Sequence, residues 1–197
     1  MKMNLPNKLS ISRLIMAFLI ALVLLFPFYL VDINIPKILV NNILVVDIRY
    51  IIAGVLFIIA SFTDLLDGRI ARKRNLVTNF GKFIDAIADK VLVNTSLIIL
   101  SAQGFISPAI PVIIIARDTI VDSIRMIASS NGTVIPAGKA GKIKTVVMMI
   151  GLSLTFFYNL PFELWNVDVS NVLLIIAVVL SIYSGIEYYY LNKDKLV

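Results

Sequence analysis

The chain has 197 residues, of which 59% are hydrophobic, with a mean hydropathy of +0.96 and a formal net charge of +6. That balance excludes a soluble domain with a water-facing surface and describes an integral membrane protein; the length leaves no room for a second large domain beside one unit over 1–197. Cysteine and histidine are both absent, which excludes disulfides, thiol catalysis, soft-ligand metal centres and imidazole acid–base chemistry as devices the protein supplies, so carboxylates, lysines and arginines must carry the chemistry. Basic loops beside anionic lipid account for the charge, and no nucleic-acid partner is expected.

Six apolar segments, 14–31, 49–66, 83–101, 108–128, 145–160 and 171–190, each come near the ~20 residues that a helix needs to cross a bilayer. The expected fold is all-α: one compact bundle of six transmembrane helices joined by short loops. Ahead of the first span, Lys2, Lys8 and Arg13 mix with Leu5, Leu9, Ile11 and Leu14, which suits an interfacial segment on the cytoplasmic surface, or equally an ordinary basic flank. The first apolar run begins too far in, and lacks the small-residue cleavage pattern, for a removable signal peptide.

On this segmentation Lys2, Lys8, Arg13, Arg69, Arg72, Lys73, Arg74, Lys82, Lys139, Lys142, Lys144, Lys193 and Lys195 fall on one side, and only Lys37 and Arg49 near the other. The positive-inside rule puts the first side, with both termini, in the cytoplasm. The outer loops carry Asp32, Asp47, Glu163 and Asp168, with Trp165 and Tyr158 at interface depth, and no chemistry is assigned to them.

Residues 64–89, DLLDGRIARKRNLVTNFGKFIDAIAD, break the apolar pattern with four aspartates. An ionised carboxylate at bilayer depth costs at least ~2.5 to 3.5 kcal/mol on insertion scales, so such a cluster must be offset by cations, water or both. Asp64 and Asp67 are three apart and Asp85 and Asp89 four apart, so each pair projects from one face of its own helix, and two helices can aim all four at one spot. Four carboxylates so placed repel unless divalent ions sit among them, and hard oxygen ligands favour Mg²⁺ or Mn²⁺.

The spacing Asp-x2-Asp-Gly-x2-Ala-Arg-x8-Gly-x3-Asp-x3-Asp, met by Asp64, Asp67, Gly68, Ala71, Arg72, Gly81, Asp85 and Asp89, resembles the signature of the CDP-alcohol phosphotransferases. The resemblance implies a metal-dependent enzyme, with two Mg²⁺ or Mn²⁺ ions as cofactor, in which an acceptor hydroxyl attacks a cytidine diphosphate-linked donor and CMP leaves. It implies Asp64, Asp67, Asp85 and Asp89 as the metal site, Asp89 as the catalytic base, and Asp64, Gly68, Ala71 and Arg72 as donor-binding residues. The residue chemistry agrees: a pyrophosphate brought to aspartates needs bridging cations, Gly68 offers close approach to a helix backbone, and Arg72 offers a planar fork for phosphate. Gly81 and Ala71 also suit close helix contact, and Arg69, Lys73 and Arg74 suit topology signals.

Residues 116–145, ARDTIVDSIRMIASSNGTVIPAGKAGKIKT, place Arg117 and Arg125 near one face of a span and Lys139, Lys142 and Lys144 after a Gly-rich turn. Asp118 and Asp122 can pair with the arginines internally, yet the cations outnumber the acids, which points to a pocket for a phosphorylated acceptor. Together with NKLSISR at 7–13, this stretch resembles the bacterial phosphatidylglycerophosphate synthases within that family, over nearly the whole chain. That implies CDP-diacylglycerol as donor, glycerol-3-phosphate as acceptor, a homodimer among membrane lipids, and a multi-pass place in the bacterial plasma membrane with the site facing the cytoplasm. Arg117, Arg125, Lys142 and Lys144 become acceptor-phosphate residues, with Asn7, Arg13 and Lys139 at the same cytoplasmic mouth. Asp118 stands where the family pattern has glutamate, and Ala86 where many members have proline.

The competing readings are another acceptor in the same family (inositol phosphate, serine or phosphatidylglycerol), intramembrane prenyl transfer, and a divalent-cation transporter lined by the aspartates. Prenyl transfer usually sets its two aspartate motifs on well-separated helix pairs. A transporter leaves Gly68, Arg72, Lys142 and Lys144 without a task.

Overall fold

The computed structural model describes residues 5–41, 44–73, 78–130 and 138–193; within these ranges the side chains of 5, 65–73, 79 and 82 lie outside the description. Six α-helices account for most of the described chain: α1 (Leu5–Leu25), α2 (Ile48–Lys73), α3 (Asn79–Ala102), α4 (Ala109–Ser130), α5 (Lys139–Phe156) and α6 (Val169–Asn192). The helix α1 packs against α2 and α3, α5 against α6 and α2, and α4 against α6 and α3. The centre is apolar and tightly filled, with Ile20 of α1, Phe57 of α2, Leu97 of α3, Ile114 of α4, Phe156 of α5 and Leu174 of α6 all fully buried.

The start of α1 corrects the expectation of a separate interfacial segment. The helix runs unbroken from Leu5, and its first turns are packed inside the bundle: Asn7, Ser10 and Arg13 are buried. The reason is periodic, since residues three apart lie along one helix face and here that polar face meets α2 and α3. Pro6 is tolerated in the first turn, where its missing N–H has no intrahelical partner to lose. The helix ends at Leu25, short of the expected 31, because Pro27 cannot continue it, and a single 3-10 turn follows at Phe28–Val31.

The connection from α1 to α2 holds a feature that the apolar pattern concealed. Strands β1 (Lys37–Val40) and β2 (Leu44–Asp47) pair antiparallel, with Lys37 opposite Asp47 and Val40 opposite Leu44. Asn41, just after β1, has φ 49°, a left-handed conformation that asparagine tolerates better than most residues. The helix α3 begins at Thr78, whose Oγ1 accepts the Gly81 N–H at 2.9 Å, and α6 at Asp168, which accepts the Asn171 N–H at 3.2 Å.

Two helices, Pro6–Leu25 and Val169–Asn192, are long and apolar enough to cross a membrane, each with mean hydropathy 2.2. The other described helices are interrupted by charged residues: Asp64 on α2, Asp85, Asp89 and Lys90 on α3, Arg117 to Arg125 on α4, and the lysines of α5. Around the outside, Phe18, Phe62, Val112 and Val179 are exposed, an apolar exterior that water would not favour.

Candidate functional site

The polar contacts between helices gather where the N-terminal halves of α1, α3 and α5 meet the C-terminal halves of α2 and α6 and the middle of α4. At their centre lies Arg13, whose side chain is fully buried. One terminal nitrogen donates to Asp64 Oδ1 at 2.6 Å and the other to Asp85 Oδ1 at 2.9 Å, tying α1 to α2 and α3 at once. Arginine suits this task because its rigid fork can reach two carboxylates from one planar group. Ser10, one turn back on α1, sets its Oγ 3.4 Å from Asp85 Oδ1 and 3.3 Å from the carbonyl oxygen of Pro6.

Asp89 stands one turn beyond Asp85 on the same face of α3. The charges of Asp64, Arg13, Asp85 and Lys144 all act on it, so the aspartate motif and the basic stretch share one neighbourhood. Asp89 Oδ1 is buried with no hydrogen-bond partner among the described residues. A buried carboxylate oxygen with no partner among the described residues is costly, and a ligand bound there would offset that cost.

Close approach of α1 to α3 depends on Gly81. A Cβ there would lie 2.5 Å from Asn7 Oδ1 and 3.0 Å from Thr78 Oγ1, so any side chain at 81 would press into Asn7 and the helix cap together. Asn7 thus borders the site from α1, below Arg13.

The basic residues divide into two kinds. Lys144 is buried, its ammonium 2.8 Å from both oxygens of Asp118. Arg117 also bonds Asp118, at 2.9 Å, and is otherwise held by α6. Arg125 is half-exposed, 3.9 Å from Asp122 and over the ring of Tyr188 at 5.8 Å, while Lys90 of α3 pairs with Asp122. Lys139 and Lys142, at the exposed start of α5, make no such contact among the described residues. Internal pairing, the plainer expectation for Arg117 with Asp118 and Arg125 with Asp122, is what the geometry displays.

Of the sequence-derived site, the structure therefore brings Asp64, Asp85, Asp89, Arg13, Asn7 and Lys144 together, and sets Arg117, Arg125, Lys139 and Lys142 further out. The backbones of Asp67, Gly68, Ala71 and Arg72 continue α2, but their side chains lie outside the described residues, as does the Gly-rich turn before Lys139. Among the described residues no group of three or more acidic side chains is gathered as a ready metal cage. The donor set nonetheless fits a hard divalent cation: the acids offer carboxylate oxygens, and Asp89 Oδ1 has no hydrogen-bond partner among the described residues. Sequence reasoning missed Ser10, Lys90 and Ser184. Ser10 was readable from its spacing, midway between Asn7 and Arg13 on one helical face, whereas Lys90 and Ser184 gave no local signal.

Comparison with known proteins identifies the family of the chain. The sequence matches the family described as CDP-alcohol phosphatidyltransferase over residues 3–183. Among its relatives, the CDP-diacylglycerol–glycerol-3-phosphate 3-phosphatidyltransferase of Bacillus subtilis (strain 168) is 39% identical, the match covering 98% of this chain and 97% of that protein. Proteins of the same name from Mycoplasma pneumoniae and Rickettsia felis are 37% and 33% identical; the first match covers 78% of this chain and 68% of the relative, the second 94% and 93%. With the family pattern spanning nearly its whole length and relatives above 30% identity aligned end to end, the chain belongs to the CDP-alcohol phosphatidyltransferase family.

Proposed function

We propose that this chain transfers the phosphatidyl group of CDP-diacylglycerol to glycerol-3-phosphate, giving phosphatidylglycerophosphate and CMP. The observation that carries the reading is the Arg13 bridge between Asp64 and Asp85, set beside the open Oδ1 of Asp89 and within the field of Lys144. It supports the reading because carboxylates, a base and a buried cation are what two phosphorylated substrates would need. The relatives' shared name supplies the donor and acceptor.

In the reaction a glycerol-3-phosphate hydroxyl oxygen forms a bond to the phosphatidyl phosphorus, and the bond from that phosphorus to the bridging oxygen breaks, releasing CMP. The hydroxyl proton passes to a carboxylate oxygen of Asp89, the general base. Asp64, Asp67 and Asp85, with Asp89, would hold Mg²⁺ or Mn²⁺, which supplies neutralisation of the pyrophosphate and of the charge growing on the departing CMP. Arg13 keeps Asp64 and Asp85 at a fixed separation, so two helices present their acids without relying on the substrate to collect them. Gly68, Ala71 and Arg72 form the donor-binding stretch of α2. Lys144 answers the acceptor phosphate, with Lys142, Lys139 and Arg125 drawing anions toward the cytoplasmic mouth.

The same reading makes the chain a single multi-pass domain of the bacterial plasma membrane, six helices crossing, both termini and the site on the cytoplasmic side, working as a homodimer. The one-sided distribution of lysine and arginine and the apolar exterior support the membrane topology, and the homodimer is what the family resemblance implies.

The test is CMP release by the purified protein in detergent with CDP-diacylglycerol and Mg²⁺, with glycerol-3-phosphate compared against serine, inositol phosphate and phosphatidylglycerol. Release that depends on glycerol-3-phosphate is expected. Release with another acceptor would keep the aspartate chemistry and overturn the acceptor assignment. Folded protein that released no CMP with any acceptor, yet moved divalent cations in liposomes, would replace the enzyme reading by a transporter.

A further inference from the structure

Lys144 is held in an unusual way for a residue that is to meet a substrate. Its side chain is 5% exposed, and two of its three N–H bonds go to the two oxygens of Asp118 at 2.8 Å each. Asp118 Oδ1 accepts a third bond, from Arg117 at 2.9 Å. Neighbours in a helix sequence do not face one another, so nothing in the geometry of α4 alone turns Arg117 back onto Asp118. The helix α6 does it: the Arg117 Nε–H donates to the Ser181 carbonyl oxygen at 2.9 Å, and a terminal nitrogen donates to Ser184 Oγ at 2.8 Å. The stem of Arg117 crosses Gly185, where a Cβ would lie only 3.1 Å from Arg117 Cγ.

The two cations consequently have different surroundings. Arg117 borders an apolar groove of about 440 Å³ between α4 and α6, among Ile120, Ile182 and Tyr189. Lys144 does not line that groove; it reaches the same Asp118 carboxylate from α5, and its charge is felt at Asp89 of α3. A continuous chain of bonds therefore runs from Ser184 through Arg117 and Asp118 to Lys144. Two cations share the Asp118 carboxylate, and Lys144 keeps a third N–H to donate to an anion. A phosphate monoester has the right charge to accept it.

We propose that Arg117 and Asp118 are a positioning pair for Lys144: Lys144 meets the acceptor phosphate, while Arg117, anchored on α6, fixes Asp118 and through it the ammonium. Arg117 is thereby reassigned from phosphate ligand to support. The proposal rests on the acceptor being a phosphorylated alcohol, as in the function proposed above. A plain helix-stitching role makes a different prediction, because stitching affects the whole bundle and positioning acts only through Lys144.

The experiment is a double-mutant cycle on the full-length enzyme with Asp118→Asn, Lys144→Ala and the pair together, reading KM for glycerol-3-phosphate and for CDP-diacylglycerol separately. Each single variant should raise the acceptor KM about tenfold or more and leave the donor KM within about twofold, and the double variant should be no worse than the weaker single one. Asp118→Glu should recover most of the loss, since it keeps the charge. Ser184→Ala supplies a gentler probe should Asp118→Asn fail to fold: about a twofold to threefold rise in acceptor KM in the parent, and none in Lys144→Ala. Additive effects, or donor and acceptor KM rising together, would overturn the positioning pair. Parent protein that released no CMP with glycerol-3-phosphate would instead bring down the functional reading beneath it.

Discussion

The two ends of the bundle both carry buried polar groups, but they spend them differently. At the hairpin end, the outer one in the topology proposed above, most side-chain contacts are local, the Asp47 N–H to the Tyr158 hydroxyl at 3.0 Å being the long-range exception. Asp47 bonds Arg49 two residues away through both carboxylate oxygens, and Asp168 caps its own helix through Asn171. Asn159 donates to Glu163 and Val167 and accepts from Ser170, so its amide has no open position on either side. At the inner end the partners are distant in sequence, Arg13 with Asp64 and Asp85, Lys144 with Asp118, and the set is left incomplete at Asp89 Oδ1. Polar groups that only stabilise a fold satisfy one another nearby, whereas a site gathers them across helices and leaves an atom for a ligand.

The strongest way to test that contrast is to remove the open atom's chemistry. Asp89→Asn keeps the shape of the side chain and abolishes its capacity to take a proton. Turnover is expected to fall by about 10²- to 10⁴-fold, the usual contribution of a positioned base, while CDP-diacylglycerol still binds. Near-normal CMP release would remove Asp89 from the base role, and the inner end would then differ from the outer only in reach.

Arg13 comes next. Arg13→Lys preserves the charge but replaces a planar fork by a single ammonium, which cannot hold both carboxylates in the same geometry. Activity should drop about tenfold to a hundredfold, in line with losses at groups that orient a site, and thermal stability in detergent should also decline because α1, α2 and α3 lose a shared tie. A lysine variant with full activity would show that the separation of Asp64 and Asp85 is set elsewhere.

How much of this was legible beforehand follows from range. The aspartate motif stood out because carboxylates are expensive in an apolar chain, and helical spacing alone put Asp85 and Asp89 on one face. Asn7, Ser10 and Arg13 repeat every three residues, a helical signal, yet their burial depends on α2 and α3 arriving from 51 and 72 residues away, and no local pattern encodes that meeting. The hairpin escaped because KILV and LVVD read as continuous apolar sequence, with no alternation to separate strand from span. Arg117, in an apolar segment, was expected to want a partner, but its bonds to α6 depend on Ser181 and Ser184, 64 and 67 residues on.

The outer end offers the smallest and most specific effect. Burial alone acts to raise the Asp47 carboxyl, but the hydrogen bonds and charge of Arg49, aided by Lys37 across the hairpin, outweigh it and hold the group below its ordinary value. Because the folded value is depressed, the ionised form stabilises the fold above the unfolded carboxylate value near about pH 4, and that contribution is lost as pH falls through the lower folded value. Asp47→Asn should therefore cost about 1 kcal/mol at neutral pH, a melting shift of about 2–4 °C, with CMP release unchanged because the pair is far from Asp89. The gap between parent and variant should close on acidification below about pH 4, where the parent's carboxylate protonates as well. A gap that persisted there would mean that Asp47 acts through its backbone N–H to the Tyr158 hydroxyl and through packing, and that the outer end is held by shape instead of charge.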